Sequence, residues 1–256
     1  MKTRQVWQTI PLEDLLMPIF SKLSIIIPAY NEERTIHLIL DKVRDVQLTG
    51  GIEKELIIVN DCSSDDTEGA IQRYRAANPE LNIQYHAHPV NQGKGAALHT
   101  GISKAIGEYL IIQDADLEYD PEEYNDLLKP VLSGFADVVY GSRFQGSKPH
   151  RILFFWHTLG NKFLTTLSNI FTNLNLTDME TCYKLFRTDL IQVLMLTVKR
   201  FGFEPEVTSL FSRINDVRIY EVGISYYVLT YVLVKKIGLK VGVRSHYCIL
   251  KFVLWA

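Results

Sequence analysis

Short runs of apolar, β-branched residues alternate with stretches of helical periodicity over the first 140 residues. Nothing else in the chain restricts the fold as much. Leu23–Ile27, Leu56–Val59, Ile83–His86, Tyr109–Ile112 and Asp137–Tyr140 read as strands. Continuous isoleucine-rich runs such as Ser24-Ile25-Ile26-Ile27 suit strands covered on both faces. Between the runs, apolar residues recur at helical spacing, as at Ile36, Ile39, Leu40, Val43 and Val46. Strands alternating with helices imply an α/β domain with a mostly parallel sheet flanked by helices. Asn31 is expected to cap the first helix. Asp120-Pro121-Glu122-Glu123 reads as an N-cap, a first-turn proline and a capping-box glutamate.

In open parallel sheets, ligands bind beyond the carboxyl ends of the strands. Every polar cluster here follows a strand: 28–32, 61–64, 114–118 and 141–143. They are expected to converge on one rim. The most chemically pointed of them is Asp114-Ala115-Asp116-Leu117-Glu118. If the strand direction persists past Ile112, alternation puts the carboxylates of Asp114, Asp116 and Glu118 on one face. Oxygen-only donors then select a hard cation, Mg²⁺ or Mn²⁺, which can carry the charge of a departing diphosphate. A solvated acidic turn is the plainer reading of the same residues. Asp61 can accept from a nucleobase or ribose, or cap a helix. Gly93-Lys94-Gly95 lets backbone approach a ligand while Lys94 offers a charge, although no Walker motif is present. Arg143 can pair with phosphate through its planar fork, or sit on the surface.

Beyond Phe144 the pattern changes. A loop over 145–149 leads into an amphipathic segment over 151–172, with Ile152, Phe155, Trp156, Leu159, Phe163, Leu167 and Ile170 at helical spacing. Phe154, Leu164 and Phe171 widen that face. Core packing is its default reading, and its aromatic content also suits a helix lying on lipid. Residues 1–22 read as an N-terminal extension and 228–256 as an apolar, basic tail. Residues 1–145 hold 13 Lys and Arg against 22 Asp and Glu, a net of −9; residues 146–256 hold 14 against 7, a net of +7. The acidic half contains the metal candidate, and the basic half suits an anionic partner or membrane surface. Three cysteines without C-x-x-C spacing argue for a reducing compartment and against a disulfide framework or zinc site. Neither a secretory signal nor a run of roughly 18 apolar residues is seen, so a soluble or surface-bound protein is expected.

Six stretches now stand in order: Ser24–Glu33, Val59–Thr67, Asn91–Gly95, Gln113–Asp116, Gly141–Phe144 and Thr177–Lys184. Together they resemble the inverting family 2 glycosyltransferases of the GT-A fold. The nearest likeness is to the branch of dolichol-phosphate mannosyltransferases and bacterial polyprenyl-phosphate glycosyltransferases. The resemblance covers about residues 23–227, divided into a nucleotide-sugar half (23–145) and an acceptor half (146–227) with an amphipathic helical acceptor region. It implies that Pro28, Tyr30, Glu32, Asp61 and Lys94 hold the nucleotide, with Asp114 and Ala115 beside them. Asp114 and Asp116, assisted by Glu118, would hold Mg²⁺ or Mn²⁺, with Asp116, Arg143 and Asp178 as the catalytic set. Arg143, with Arg151, would meet the lipid phosphate, and Asp178 would lie near the sugar or acceptor.

The activity implied is transfer of a hexose from a nucleotide-diphosphate sugar, of GDP-mannose or UDP-glucose type, to a polyprenyl or dolichyl phosphate. The partners implied are that donor, the lipid acceptor and a membrane surface, with room for a membrane-protein subunit and none for nucleic acid. The expected location is peripheral, at the cytoplasmic face. A saccharide acceptor of a cell-surface polymer is an alternative, and so is a catalytically impaired nucleotide-sugar binder. The tail departs from the family: Val228-Leu229-Thr230-Tyr231-Val232-Leu233-Val234 stands where a Gly-Arg-Thr-Tyr-Glu-Glu-Gly-type loop is usual. Leu229 replaces its arginine, and Val232 and Leu233 replace its acids. Either that loop has become a membrane contact or donor-phosphate binding is weakened.

Overall fold

A computed structural model of the chain describes residues 20–146, 155–200 and 202–226. The extension up to residue 19, Arg151, Ile152, Phe154 and the tail from residue 227, with Leu229, Val232 and Leu233, lie outside the described residues. Seven strands, β1 (Lys22–Ala29), β2 (Glu53–Asn60), β3 (Ile83–Ala87), β4 (Tyr109–Ile112), β5 (Val138–Ser142), β6 (Lys184–Arg187) and β7 (Ile219–Gly223), form one sheet in the order β3-β2-β1-β4-β6-β5-β7. The helices are α1 (Ile36–Asp45), α2 (Thr67–Ala77), α3 (Lys94–Lys104), α4 (Tyr124–Leu132), α5 (Phe155–Thr172), α6 (Thr188–Gln192) and α7 (Phe203–Phe211).

All strand pairs are parallel except those of β6, which runs antiparallel to both β4 and β5. This is the mostly parallel, helix-flanked sheet expected, with one reversed strand. Successive residues of β1 supply opposite faces: Ile25 and Ile27 join the core under α1, α2 and α4, while Ile26 joins the core under α3, α5 and α7. That two-sided burial is the reason the run is continuously apolar.

Two capping expectations fail. Asn31 adopts φ 56° and lies four residues before the N-cap of α1, Thr35. Its side chain instead accepts from the Ser64 N–H at 2.8 Å, joining the turn after β1 to the turn after β2. Asp120 does cap a 3-10 turn over Pro121–Glu123, accepting from the Glu122 N–H. Glu123 does not complete a capping box, because its buried carboxylate receives the Ser225 N–H at 2.8 Å. A tertiary donor outcompeted the local one.

The helix over 155–172 also differs from its default reading. Its aromatic face is not core: Phe155, Trp156, Leu159, Phe163 and Ile170 are exposed, Trp156 by 77%. The buried face is the more polar one, Asn161, Leu164, Thr165 and Ser168.

Candidate active site

The carboxylate turn is built outward from Gln113, which follows β4 and is fully buried. Its carbonyl oxygen accepts from the hydroxyls of Tyr124 (2.8 Å) and Tyr183 (2.7 Å). Its amide donates to the carbonyl oxygens of Asp114 (3.0 Å) and Tyr119 (3.4 Å). With every amide valence used, the peptide that follows is held in a turn rather than a strand.

Strand alternation ends there, and Leu117 has φ 63°. The three acids therefore do not share a face. Asp114 lies against the Lys94 ammonium at 2.7 Å. Glu118 accepts from the Tyr226 hydroxyl at 2.7 Å. Asp116 is exposed, and its Oδ1 accepts from the Glu118 N–H at 3.2 Å. Among the described residues, no three His, Cys, Asp or Glu side chains are grouped to hold a metal. The expected trio of Asp114, Asp116 and Glu118 is thus not assembled, because Glu118 is turned to Tyr226.

Asp114 and Asp116 remain as oxygen-only donors at the rim. Crowding by surrounding protein, then the charges of Asp114 and Glu118, push the Asp116 carboxyl up to about 7. The turn is therefore over-supplied with negative charge, and a hard divalent cation fits that excess.

Lys94 opens α3. Its Nζ also contacts the Cys182 sulfur at 2.9 Å. Burial opposes its charge, but Asp114 and Glu204 hold the ammonium well above its usual range. Burial and Asp114 push the Cys182 thiol up, so it stays neutral. The loop before Lys94 is fastened by Asp61, whose buried carboxylate accepts from the N–H groups of Gln92 (2.9 Å) and Gly93 (2.6 Å) and faces His88 Nδ1 at 2.7 Å. Asp61 caps no helix, since the N-cap of α2 is Asp66. Gly93 has φ 100°, and a Cβ on Gly95 would run into the Val198 carbonyl. Close packing of the 198–200 backbone demands glycine at these two places.

Arg143 and Asp178 form a buried bidentate pair, Nε to Oδ2 at 2.7 Å and Nη2 to Oδ1 at 2.8 Å. Asp178 also receives the Arg143 N–H at 3.1 Å and the Asn161 amide of α5 at 3.3 Å. Its peptide N–H is held by Glu221 at 3.0 Å. Asp178 is 0% exposed, so it orients Arg143 rather than lying open to a sugar. Arg143 is only 7% exposed, and its guanidinium lies against the rings of Tyr226 (5.4 Å) and Phe144 (5.8 Å). One edge of the fork expected for phosphate is already taken.

The other expected residues sit along the same rim. Pro28 ends up half-buried near the end of β1, and Tyr30 is 41% exposed. The Glu32 carboxylate accepts from the Thr35 hydroxyl at 2.6 Å. The Ala115 side chain is buried in the core, which leaves only its backbone at the turn. Sequence reasoning missed Gln113, Cys182 and Tyr226 as the side chains that hold the carboxylate turn and Lys94. Cys182 lies inside the Thr177–Lys184 stretch, but nothing in the residue order shows which of its side chains face the rim.

Comparison with known proteins shows the family and the fold. The family model described as "Glycosyl transferase family 2" matches residues 24–195. A dolichyl-phosphate beta-glucosyltransferase of Trichomonas vaginalis is 29% identical over 221 residues, covering 81% of this chain and 67% of that protein. An undecaprenyl-phosphate mannosyltransferase of Micrococcus luteus is 28% identical, covering 78% of this chain and 82% of that protein. An undecaprenyl-phosphate 4-deoxy-4-formamido-L-arabinose transferase of Photorhabdus laumondii is 30% identical over 75% of this chain, which spans 57% of its length. The crystal structure of glucosyl-3-phosphoglycerate synthase from Mycobacterium tuberculosis with Mn²⁺, UDP and phosphoglyceric acid superposes with a TM-score of 0.69 at 19% identity, over 91% of this chain and 78% of that one. A second structure of that synthase holds Mg²⁺ and UDP, with a TM-score of 0.68 at 19% identity over 91% of this chain and 79% of that one. At that identity the likeness establishes the GT-A fold.

Proposed function

The chain belongs to glycosyl transferase family 2, and we propose that it transfers a hexose, with inversion, from a nucleotide-diphosphate sugar to a polyprenyl phosphate at a membrane surface. One observation carries the choice of acceptor. The two faces of α5 do different things: Asn161 on the inner face reaches Asp178 of the buried Arg143 pair, while the outer face exposes Phe155, Trp156, Leu159 and Phe163. A helix of that kind can lie on lipid and present a phosphate headgroup to the rim beside it. The relatives named for dolichyl- and undecaprenyl-phosphate transfer support the same acceptor class. Among the described residues no helix is long and apolar enough to cross a membrane, and a peripheral position at the cytoplasmic face is part of the proposal.

A phosphate monoester is mostly ionised at pH 7, its second pKa being about 6. Its oxygen attacks the anomeric carbon, the bond from that carbon to the donor diphosphate breaks, and the nucleoside diphosphate leaves with the electron pair. No strong base is required, which agrees with the burial of Asp178 behind Arg143. The work of the protein is positioning and neutralisation of two anions. Arg143, locked by Asp178, supplies fixed positive charge on the acceptor side. Lys94 supplies it on the donor side, and the rim loops at Tyr30 and Asp61 wall the nucleotide. Asp114 and Asp116 would hold Mg²⁺ or Mn²⁺, whose contribution is to neutralise the donor diphosphate.

The test incubates purified protein and Mn²⁺ or Mg²⁺ with labelled GDP-mannose, UDP-glucose and related donors together with undecaprenyl or dolichyl phosphate. Label is expected in the lipid phase with one donor. Label appearing only on soluble saccharide acceptors, or on none, would overturn the reading.

A further inference from the structure

We infer that Glu180 is the residue that holds the hexose being transferred, its free carboxylate oxygen accepting hydrogen bonds from sugar hydroxyls with Glu204 beside it. This rests on the transfer proposed above. Glu180 Oε1 is cut off from solvent and has no hydrogen-bond partner. A buried acceptor left without a donor costs free energy, so such atoms are rare unless a ligand completes them.

The neighbouring cation does not complete it. Lys184 is fully buried and donates to the carbonyl oxygens of Met179 (3.0 Å) and Thr181, so it braces the turn that carries Glu180. Burial and then the charge of Glu204 push Glu180 up to about 7, against the opposing charges of Lys184 and Arg143.

Its surroundings indicate which partner is missing. The charges felt at Glu180 include those of Arg143 and Asp178, on the acceptor side. They also include Glu204, whose charge is felt in turn by Lys94 and Cys182 at the donor side. The group between an attacking phosphate and a departing diphosphate is the sugar. Both phosphates are anionic acceptors and are repelled by Glu180. Hydroxyls are neutral donors and satisfy it.

The test measures binding without any lipid acceptor, so failure of polyprenyl-phosphate transfer and failure of this inference remain distinguishable. Affinities of wild type and Glu180→Gln are determined by titration calorimetry with Mg²⁺ for UDP, GDP, UDP-glucose, UDP-galactose and GDP-mannose. Thermal melting of both ligand-free proteins is recorded alongside. For the preferred sugar nucleotide, the affinity relative to its own diphosphate is expected to fall about tenfold in the variant, while diphosphate affinity stays within about twofold. Because the Glu180 carboxylate also offsets the charge of the buried Lys184, the ligand-free melting temperature of the variant is expected to stay within about 2 °C of wild type. A melting temperature lowered by more than that would mark Glu180 as structural and overturn the inference. An unchanged sugar-to-diphosphate ratio, or equal losses for sugar nucleotide and diphosphate, would overturn it too.

Discussion

Arg143 and Asp178 show how burial bears on roles that residue type alone leaves open. The Asp178 carboxylate holds the Arg143 guanidinium, and Asn161 and Glu221 hold Asp178 in turn. Removing one partner of a buried pair leaves the other charge uncompensated, at about 3–5 kcal/mol. Asp178→Asn is therefore expected to lower the melting temperature as well as transfer, measured by calorimetry and the lipid-phase assay. Loss of transfer at unchanged stability would return Asp178 to direct catalysis. Asp116 behaves differently. Its carboxyl rises from 3.8 to about 7 on folding, so between those values the folded state binds more protons than the unfolded one. Metal-free stability must then fall as pH climbs from about 4 to 7. Asp116→Asn is expected to flatten that slope and to melt slightly higher at pH 8. The gain should be about 1 kcal/mol or less, because the side chain is exposed and screened. Mn²⁺ should raise the melting temperature of wild type and not of the variant, while transfer by the variant is abolished. Parallel melting curves from pH 4 to 8 would refute the repulsion described here. That Asp114 and Asp116 carry chemistry was legible from a D-x-D at a strand end. That Glu118 faces Tyr226 was not, because Leu117 leaves the extended region.

Among the elements, α5 carries the largest consequence. Its periodicity was plain in the sequence, but periodicity does not say which face is covered. The sheet side accepted Leu164, Thr165 and Ser168, with Asn161 engaged by Asp178, and the aromatic face was left outside. Replacing Phe155, Trp156 and Phe163 with serine is expected to reduce sedimentation with anionic vesicles severalfold. The fold should be little affected, since exposed positions change stability by about 0.5 kcal/mol or less each. If wild type fails to sediment with vesicles with or without polyprenyl phosphate, α5 does not dock on lipid.

Across the whole molecule, the acidic and basic halves are not separate bodies. β6 from the second half is inserted between β4 and β5 of the first, and β7 extends the same sheet. The chain then returns over the carboxylate turn, with the Ser225 N–H on Glu123 and the Tyr226 hydroxyl on Glu118. Tyr226→Phe removes a bond to a carboxylate, worth roughly 1.5–3 kcal/mol, and frees Glu118 beside Asp116. Transfer efficiency is expected to drop about tenfold or more, with the fold retained. Unchanged kinetics would show that this closure is not needed. The sequence by itself determined the alternation of strands and helices, the rim on which polar loops converge, and the acids and lysine that lie there. These depend on local periodicity, on turn residues and on the rule that parallel strands end together. Only the tertiary structure decided which partners those residues take: Lys94 for Asp114, Asp178 for Arg143, Tyr226 for Glu118, and none for one oxygen of Glu180. Each such pairing joins residues from about 20 to more than 100 positions apart or leaves one unpaired, and so depends on how separate elements pack rather than on any pattern along the chain.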